Sequence, residues 1–327
     1  MINTARIVGT GMAAPDRILT NVELSTLVDT SDEWIFSRTG IRERRIIADG
    51  QNVSDLGLIA AQEALAQAGL KPEDIDLIIF ATMSPDQISP STACILQHKL
   101  GAKRAAAVDI SAACSGFMYG MSMARGAIVS GEAQTVLLVG GEAMSRFVDW
   151  TDRTTCVLFG DAAGAVVLRP SSSGQGVLST VLGADGSNAG LLGYPAGGST
   201  LPASHETVDG RQHYMKMNGA EIYKNGVRKM TRAVKDALAK CGASANDLSL
   251  FIPHQANKRI IDGVVEALGM DYSKVFLNVE KYGNTSAASI PVALHEAVMA
   301  GRVKKGDLIG MVSFGGGLTW GSAVVRW

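Results

Sequence analysis

Apolar residues recur along this chain in two rhythms. Short unbroken runs, such as those at 75–81 ("IDLIIFA") and 135–139 ("TVLLV"), have the character of strands buried on both faces. Between them, apolar positions return every three or four residues. The stretch 54–69 carries Leu56, Ile59, Ala60, Ala64, Leu65 and Ala68 and stops at Gly69, the pattern of an amphipathic helix with a glycine end. The same reading gives a first strand at 6–11 and a turn at Pro15 and Asp16. A short helix opens with Asn21 as its N-cap, and another is capped by Ser31 or Asp32. A helix at 90–100 follows, and a turn at 160–164 leads into a strand ending near Leu168. Ser171-Ser172-Ser173-Gly174 forms a polar seam. Buried strands alternating with helices predict an α/β fold with parallel-rich sheets between helical layers.

Beyond the seam the pattern repeats. "EALAQAGLKPEDIDLIIF" (63–80) aligns without gaps to "DALAKCGASANDLSLFIP" (236–253). Further on, "VDISAACSG" corresponds to "LNVEKYGNTSAAS", "TVLLVGG" to "LIGMVSFGGG", and "GAVVLRP" to "GSAVVRW". A repeat of this length predicts two pseudo-symmetric α/β halves, 1–170 and 171–327. In open α/β sheets, chemistry gathers at the carboxyl ends of strands. The repeat therefore points to Cys114 in one half and to the residues after Ile252 and Val279 in the other.

Cys114 follows an apolar run ending at Ser111, read as a buried strand, and precedes a helical pattern through Met118, Met121, Ala124 and Ile128. At such a junction the first helical turn offers unpaired N–H groups and a positive dipole end, which lower a thiol pKa and make a nucleophile. The same position suits a small thiol packed beneath a helix. In the second half, His254 lies just past the strand 251–253, and Asn284 stands at the place equivalent to the Cys114 junction. Pseudo-symmetry brings these ends together near the axis. His254 supplies a ring that donates or accepts, and Asn284 an uncharged amide donor. The glycines of Ser313-Phe314-Gly315-Gly316-Gly317 let backbone N–H groups approach a substrate oxygen. Taken singly, a strand-end His, a capping Asn and a glycine turn are ordinary structural features. Three loops of one repeat converging on one point are not explained by capping alone. His98, His205, His213 and His295 have no such placement.

Composition narrows the class. The chain has 327 residues, 46% of them hydrophobic and only 19% charged, against a usual charged share of ~25%. That balance suits a large core and a buried subunit interface. A net charge of −1 gives no field for nucleic acid. No apolar run approaches the ~20 residues of a membrane span, and the N-terminal residues lack a signal-peptide core. Cys94, Cys114, Cys156 and Cys241 form no metal-binding spacing, and a reducing, cytoplasmic setting is expected. Arg38, Arg42, Arg44 and Arg45 crowd into eight residues beside Trp34. That cluster is either a solvated turn or a site for a phosphate with a stacked base.

Seven motifs then carry a resemblance: "DTSDEWI", "RTGIRER", "AACSGF", "DRTTCVLFGDAAGA", "PHQANKRI", "YGNTSAAS" and "FGGGLTWGSA". Together they resemble the β-ketoacyl-acyl-carrier-protein synthase III family of the thiolase superfamily, across the whole chain. The resemblance implies a five-layer α-β-α-β-α thiolase-like fold and a homodimer. It implies an acyl-CoA primer loaded on Cys114, then decarboxylative condensation with malonyl-acyl-carrier protein, with no cofactor and no metal. His254 and Asn284 would hold the malonyl thioester oxygen, and the backbone N–H groups of Cys114 and Gly316 the tetrahedral intermediates. The CoA site would comprise Trp34, Arg38, Arg153, Gly219 and Arg259. The acyl pocket would comprise Ser89, Phe159, Leu192 and Phe314, with Phe314 shielding Cys114.

Three places depart from the family pattern. Relatives carry Lys on the helix after the "PHQAN" motif, where this chain has Val265-Glu266-Ala267. Carrier docking would then fall to Lys224, Lys258 and Arg259, with Arg228 and Lys229 nearby. Ser89 replaces a Phe common in acetyl-primed relatives at the acyl pocket across the dimer interface, which predicts room for a longer or branched primer. The stretch 194–214, rich in Gly, Pro and Ser, resists alignment to the family and is expected as a surface loop near the pocket mouth. Alternatives are a specialised relative using malonyl-CoA or unusual primers, as in quinolone or polyketide biosynthesis, and an acyl-binding module without chemistry. A biosynthetic thiolase would need a second Cys near the C-terminus, and hydroxymethylglutaryl-CoA synthase a Glu base. Neither is evident in the sequence.

Overall fold

The computed structural model describes residues 4–327. The first half runs β1 (Thr4–Ala13), β2 (Arg17–Thr20), α1 (Asn21–Leu24), α2 (Asp32–Thr39), β3 (Glu43–Ile46), α3 (Val53–Ala68) and β4 (Leu77–Ala81). It continues with α4 (Thr92–Leu100), β5 (Ala106–Ile110), α5 (Gly116–Ser130), β6 (Val136–Ala143), α6 (Arg153–Cys156) and β7 (Asp161–Ser171). Next come β8 (Gly176–Ala184), β9 (Leu192–Gly193), α7 (His205–Asp209), β10 (Lys216–Met217) and α8 (Gly219–Lys240). The chain closes with β11 (Leu250–Pro253), α9 (Lys258–Leu268), α10 (Val279–Tyr282), α11 (Ser289–Met299), β12 (Leu308–Gly315) and β13 (Thr319–Arg326).

Two sheets form the frame, in the orders β1-β7-β6-β4-β5 and β11-β12-β13-β8. Strand β4 pairs in parallel with β6, and β6 antiparallel with β7; β11, β12 and β13 repeat both relations. A parallel bridge between Phe251 and Val275 stands where β5 stands in the first sheet. Helices α5 and α11 lie between the sheets, α3 and α4 cover one outer face, and α8 and α9 the other. The result is the five-layer α-β-α-β-α arrangement. Period-two alternation sends each strand into two cores. Val166 and Leu168 of β7 meet Phe117, Met118, Met121 and Ile128 of α5 between the sheets, whereas Ala165 and Val167 face α3. Each buried Leu, Ile, Met or Phe there contributes about 1.5–3 kcal/mol of transfer free energy. Gly321 lets α5 close on β13, since a Cβ there would lie 2.6 Å from Met118 Cβ.

The repeat holds in local detail. Both α3 and α8 are followed by a left-handed glycine, Gly69 at φ 67° and Gly242 at φ 68°. A single turn after each is closed by an Asp accepting from backbone N–H at 2.8 Å, Asp74 from Lys71 and Asp247 from Ser244. Three expectations change. Thr20, not Asn21, caps α1, its hydroxyl accepting from Glu23 N–H. Asn21 instead is buried and donates to Asp32 and the Ile41 carbonyl. The strand before Cys114 is not buried on both faces, because β5 is a sheet edge and Val108 is 41% exposed. Finally, Ala113 and Ser286 share the same left-handed backbone, φ 48° and 47°, one residue before Cys114 and Ala287. Ala287 is therefore the equivalent of Cys114, and Asn284 lies three residues earlier.

Candidate active site

Cys114 sits in the single turn Ala113–Ser115 that leads directly into α5. Its N–H lies in that first turn, where helix geometry supplies no carbonyl partner. The equivalent turn, Ser286–Ala288, leads into α11, and small residues let the two ends meet. A Cβ on Gly140 would stand 2.4 Å from the Ala287 carbonyl oxygen, and one on Gly315 would stand 2.6 Å from Cys114 N. Larger residues at either place would push the helix starts apart.

His254 leaves the end of β11 with its N–H bonded to Val312 O at 2.8 Å. Its Nδ1 lies 2.6 Å from Ser289 Oγ at the start of α11, and Gln255 N–H reaches the same oxygen at a longer 3.5 Å. We assign the Ser289 hydroxyl hydrogen to Nδ1, the tautomer that places the ring N–H on Nε2. Burial pushes the imidazole down to about 3, so the ring is neutral near pH 7. Asn284 is held through its backbone, N–H to Leu158 O at 2.8 Å and carbonyl to Gly160 N–H at 3.1 Å. Its Oδ1 accepts from Ser286 N–H at 2.9 Å. That bond fixes the amide and commits Nδ2 as the free donor. Asn284 thus both caps its turn and offers an N–H.

Cys114, His254 and Asn284 all line one cavity of about 440 Å³. Burial pushes the Cys114 thiol up to about 12, against a Ser286 hydrogen bond that lowers it and a nearby Glu142 that raises it further. Burial thus opposes the lowering expected of a helix start, and the resting group is a thiol.

Arg38, Gly219 and Arg259 line the same cavity. Trp34 stands beside it, with the Arg38 guanidinium 4.5 Å and the Arg153 guanidinium 4.9 Å from its ring centroid. Arg153 is tied to Asp29 O at 2.7 Å. A flat base sandwiched between Trp34 and Arg153 needs about 7 Å, two contact distances, so Arg153 must lift to admit one. The rest of the arginine cluster is structural. Arg42 pairs with Asp32 and Glu280, and Arg45 with Glu43. Arg44 is fully buried and donates to Leu19 O, Asn21 Oδ1 and Val157 O. Only Arg38 of the four reaches the cavity.

Phe159, Leu192 and Phe314 line the cavity as expected of apolar walls. Ser89 does not: it lies on an exposed loop beside Ile88, which is 91% exposed. Lys224 is exposed on α8, one turn beyond the cavity-lining Ala220. Lys258 is paired with Asp262 at 2.9 Å, so its charge is already compensated. Lys229 pairs with Asp185. The stretch 194–214 is anchored rather than loose. Arg211 forms a two-pronged ion pair with the buried Asp149, and Tyr194 packs on Phe147 with ring centroids 5.4 Å apart. Its ends, β9 and β10, pair with each other and bring Leu192 and Met217 to the cavity wall. His213 bonds Thr207, and the buried His295 bonds Thr10, both outside the cavity.

Sequence reasoning missed Glu142. It ends the apolar strand β6, is fully buried, and accepts from the Ser84, Thr82 and Ser286 hydroxyls and the Met83 and Ala287 N–H groups. A charged residue in an otherwise apolar strand was the available signal. Ser289, which sets the His254 ring, carried none.

Comparison with known proteins gives the family. The family model described as 3-oxoacyl-[acyl-carrier-protein (ACP)] synthase III matches residues 108–186, and that of its C-terminal part matches 238–327. The chain is 55% identical over 326 residues to the β-ketoacyl-[acyl-carrier-protein] synthase III of Symbiobacterium thermophilum, covering 100% of this chain and 99% of that one. It is 53% identical over 327 residues to that of Roseiflexus castenholzii, with the same coverage. The crystal structure of 3-oxoacyl-[acyl-carrier-protein] synthase III from Aquifex aeolicus superposes with a TM-score of 0.92 at 49% identity, covering 99% of this chain and 100% of that one. The chain belongs to the β-ketoacyl-acyl-carrier-protein synthase III family, the thiolase-fold acyltransferases that carry out the initiating condensation of fatty-acid synthesis.

Proposed function

We propose that Cys114 carries the acyl group between two half-reactions with an acyl-CoA and malonyl-acyl-carrier protein. Cys114 sulfur attacks the primer thioester, and its proton leaves as CoA thiolate departs and is protonated. Malonyl-carrier thioester then loses CO2, leaving an enolate whose oxygen is held by His254 Nε2–H and Asn284 Nδ2–H. The enolate carbon attacks the Cys114 thioester. The sulfur leaves, regains a proton, and 3-oxoacyl-carrier protein is released. The observation that carries this reading is that three residues from distant parts of the chain line one cavity, with the Asn284 amide committed as a donor by its hydrogen bond and the His254 ring neutral. Decarboxylation needs donors where negative charge develops, not a strong base, and a neutral His supplies that. The Cys114 N–H, joined by that of Gly316, would hold the tetrahedral oxygens.

Trp34, Arg38, Arg153, Gly219 and Arg259 would bind CoA along the cavity mouth. Lys224 and Arg259, which form no ion pair among the described residues, would meet the carrier, with Lys258 a weaker contributor. The half-exposed edge of β5 would pair with a second copy, since an open edge with Val108 outward invites cover. In that homodimer Ser89 of one copy would line the other's acyl pocket and admit a longer or branched primer. The two halves, 1–170 and 171–327, would act as one unit around the site. Among the described residues no helix is long and apolar enough to cross a membrane, and all four cysteines are free, as suits a reducing cytoplasm.

The test is a purified reconstitution with malonyl-acyl-carrier protein and primers from acetyl-CoA upward, scored for 3-oxoacyl-carrier product and CO2. Product that requires both substrates, and disappears in Cys114→Ser, supports the reading. CO2 release without carbon–carbon bond formation in wild type would sink it. Small-molecule product released free of the carrier would favour the specialised relative instead.

A further inference from the structure

The thiol of Cys114 must lose a proton during loading, yet the mechanism above names no group that takes it. His254 is poorly suited. Its Nε2 already carries hydrogen, and burial opposes a positive charge on the ring. Another route leads the other way: the turn that carries Cys114 packs against the turn that carries Ser286, whose Oγ lies 2.9 Å from Glu142 Oε1. The other neighbour of that hydroxyl is the Met83 sulfur at 3.5 Å, a far weaker acceptor than a carboxylate. A hydroxyl has one hydrogen to give. Committed to Glu142, it leaves a lone pair for the thiol hydrogen.

We propose that Glu142 is a positioning residue that acts through Ser286 as the proton reservoir of Cys114. The inference rests on Cys114 being the nucleophile. As the sulfur bonds to the primer carbonyl carbon, its hydrogen passes to Ser286 Oγ and the Ser286 hydrogen passes to Glu142 Oε1. CoA departs as thiolate and takes a proton from water. The acyl-enzyme then contains a neutral carboxylic acid. When the condensation expels Cys114 as thiolate, the two hydrogens return along the same path, and Glu142 is again ionised. No oxidant or further reactant is required, and charge near the acyl group is lowest while the acyl group is present.

The surroundings fit such a reservoir. Burial pushes the Glu142 carboxyl up to about 7, in spite of hydrogen bonds from Ser84, Ser286, Met83 and Ala287 that lower it. The ionised form is thus available near neutral pH and the protonated form is accessible. The titratable groups that bear on it are Cys114 at the start of α5, at about 12, and Tyr194 from the anchored stretch 194–214. Burial, with the charges of Glu142 and Cys114, pushes Tyr194 well above the usual tyrosine range. The contacts from the β4–α4 loop and the turn before α11 are hydroxyls and amides. Among these groups Glu142 alone changes charge near pH 7.

The test is single-turnover acylation of Cys114 by acetyl-CoA, followed by intact-protein mass against pH in wild type, Glu142→Gln, Glu142→Asp and Ser286→Ala, with thermal unfolding as the folding control. Wild type should load faster as pH rises through the neutral range. Glu142→Gln and Ser286→Ala should lose that rise and load about 100-fold or more slowly at pH 7.5, the usual scale of a lost proton acceptor. Glu142→Asp should restore the rise. A folded Glu142→Gln that keeps the wild-type rate and pH profile overturns the proposal. Should Glu142→Gln fail to fold, Ser286→Ala decides alone, and an unchanged profile there overturns it equally. If wild type itself takes no acyl group, the assignment of Cys114 falls first, which separates the two failures.

Discussion

Ser289→Ala isolates the hydrogen bond that sets the His254 ring. The bond is short, 2.6 Å, and buried, and with the Ser289 hydroxyl as donor it holds the ring hydrogen on Nε2. A buried neutral hydrogen bond contributes about 0.5–1.5 kcal/mol net. Its loss frees the ring to adopt the tautomer with hydrogen on Nδ1, which cannot donate from Nε2. Decarboxylation of malonyl-acyl-carrier protein should therefore fall about 2- to 13-fold, the rate equivalent of that energy. His254→Ala removes the donor itself and should cost about 100- to 1000-fold. Acyl loading of Cys114 does not use this N–H and should stay within about twofold of wild type in Ser289→Ala. The assay separates the steps: CO2 release from malonyl-carrier protein reports the first, and intact mass after acyl-CoA reports the second. In wild type, CO2 release should show no histidine titration between pH 5.5 and 7, because burial holds the ring at about 3. A decline on acidification centred near pH 6.5, or a Ser289→Ala loading defect as large as its decarboxylation defect, would refute the reasoning.

Trp34→Ala should raise KM for acyl-CoA about 5- to 150-fold with little change in kcat, since base stacking contributes about 1–3 kcal/mol, and steady-state kinetics reads this split. Arg44→Leu should lower the unfolding temperature while specific activity per folded molecule holds, because three buried acceptors lose their donor at about 1–3 kcal/mol each. Burial pushes the Asp149 carboxyl up, but hydrogen bonds from Arg211 and Thr151 reverse this, to about 2. The clamp therefore stabilises the fold above the ordinary Asp value of 3.8 and is lost as pH falls toward 2. The thermal-stability gap between wild type and Arg211→Ala should close over that window and stay open at pH 6.

The repeat was legible because it is written in local rules. Glycine stops at Gly69 and Gly242, Asp-closed turns and apolar strands are spelled within a few residues of where they act. Cys114, His254 and Asn284 were legible through the repeat, which carries three-dimensional proximity into one dimension. What failed depends on distant partners. The pKa of Cys114 follows from how much chain covers it, which no feature of its own helix start reveals. The arginine cluster divides between Asp32, Glu280 and Val157, two of them more than a hundred residues away, so spacing alone could not tell a buried arginine from a cavity arginine. Strand β5 looks like its buried neighbours in composition, yet its place at a sheet edge is a property of the sheet order. Glu142 was hidden for the reverse reason: one carboxylate near the end of an apolar strand is a small anomaly, and its five donors come from two distant segments, 82–84 and 286–287.

The claim that Cys114 is the acyl carrier is tested most directly by intact-protein mass spectrometry after brief incubation with a series of acyl-CoAs, with Cys114→Ser alongside. A single acyl adduct on wild type, mapped to the peptide containing Cys114 and absent from the variant, is the predicted result, with the fastest-loading chain length reporting the pocket. An adduct that persists in Cys114→Ser, or none with any acyl-CoA, would contradict the account.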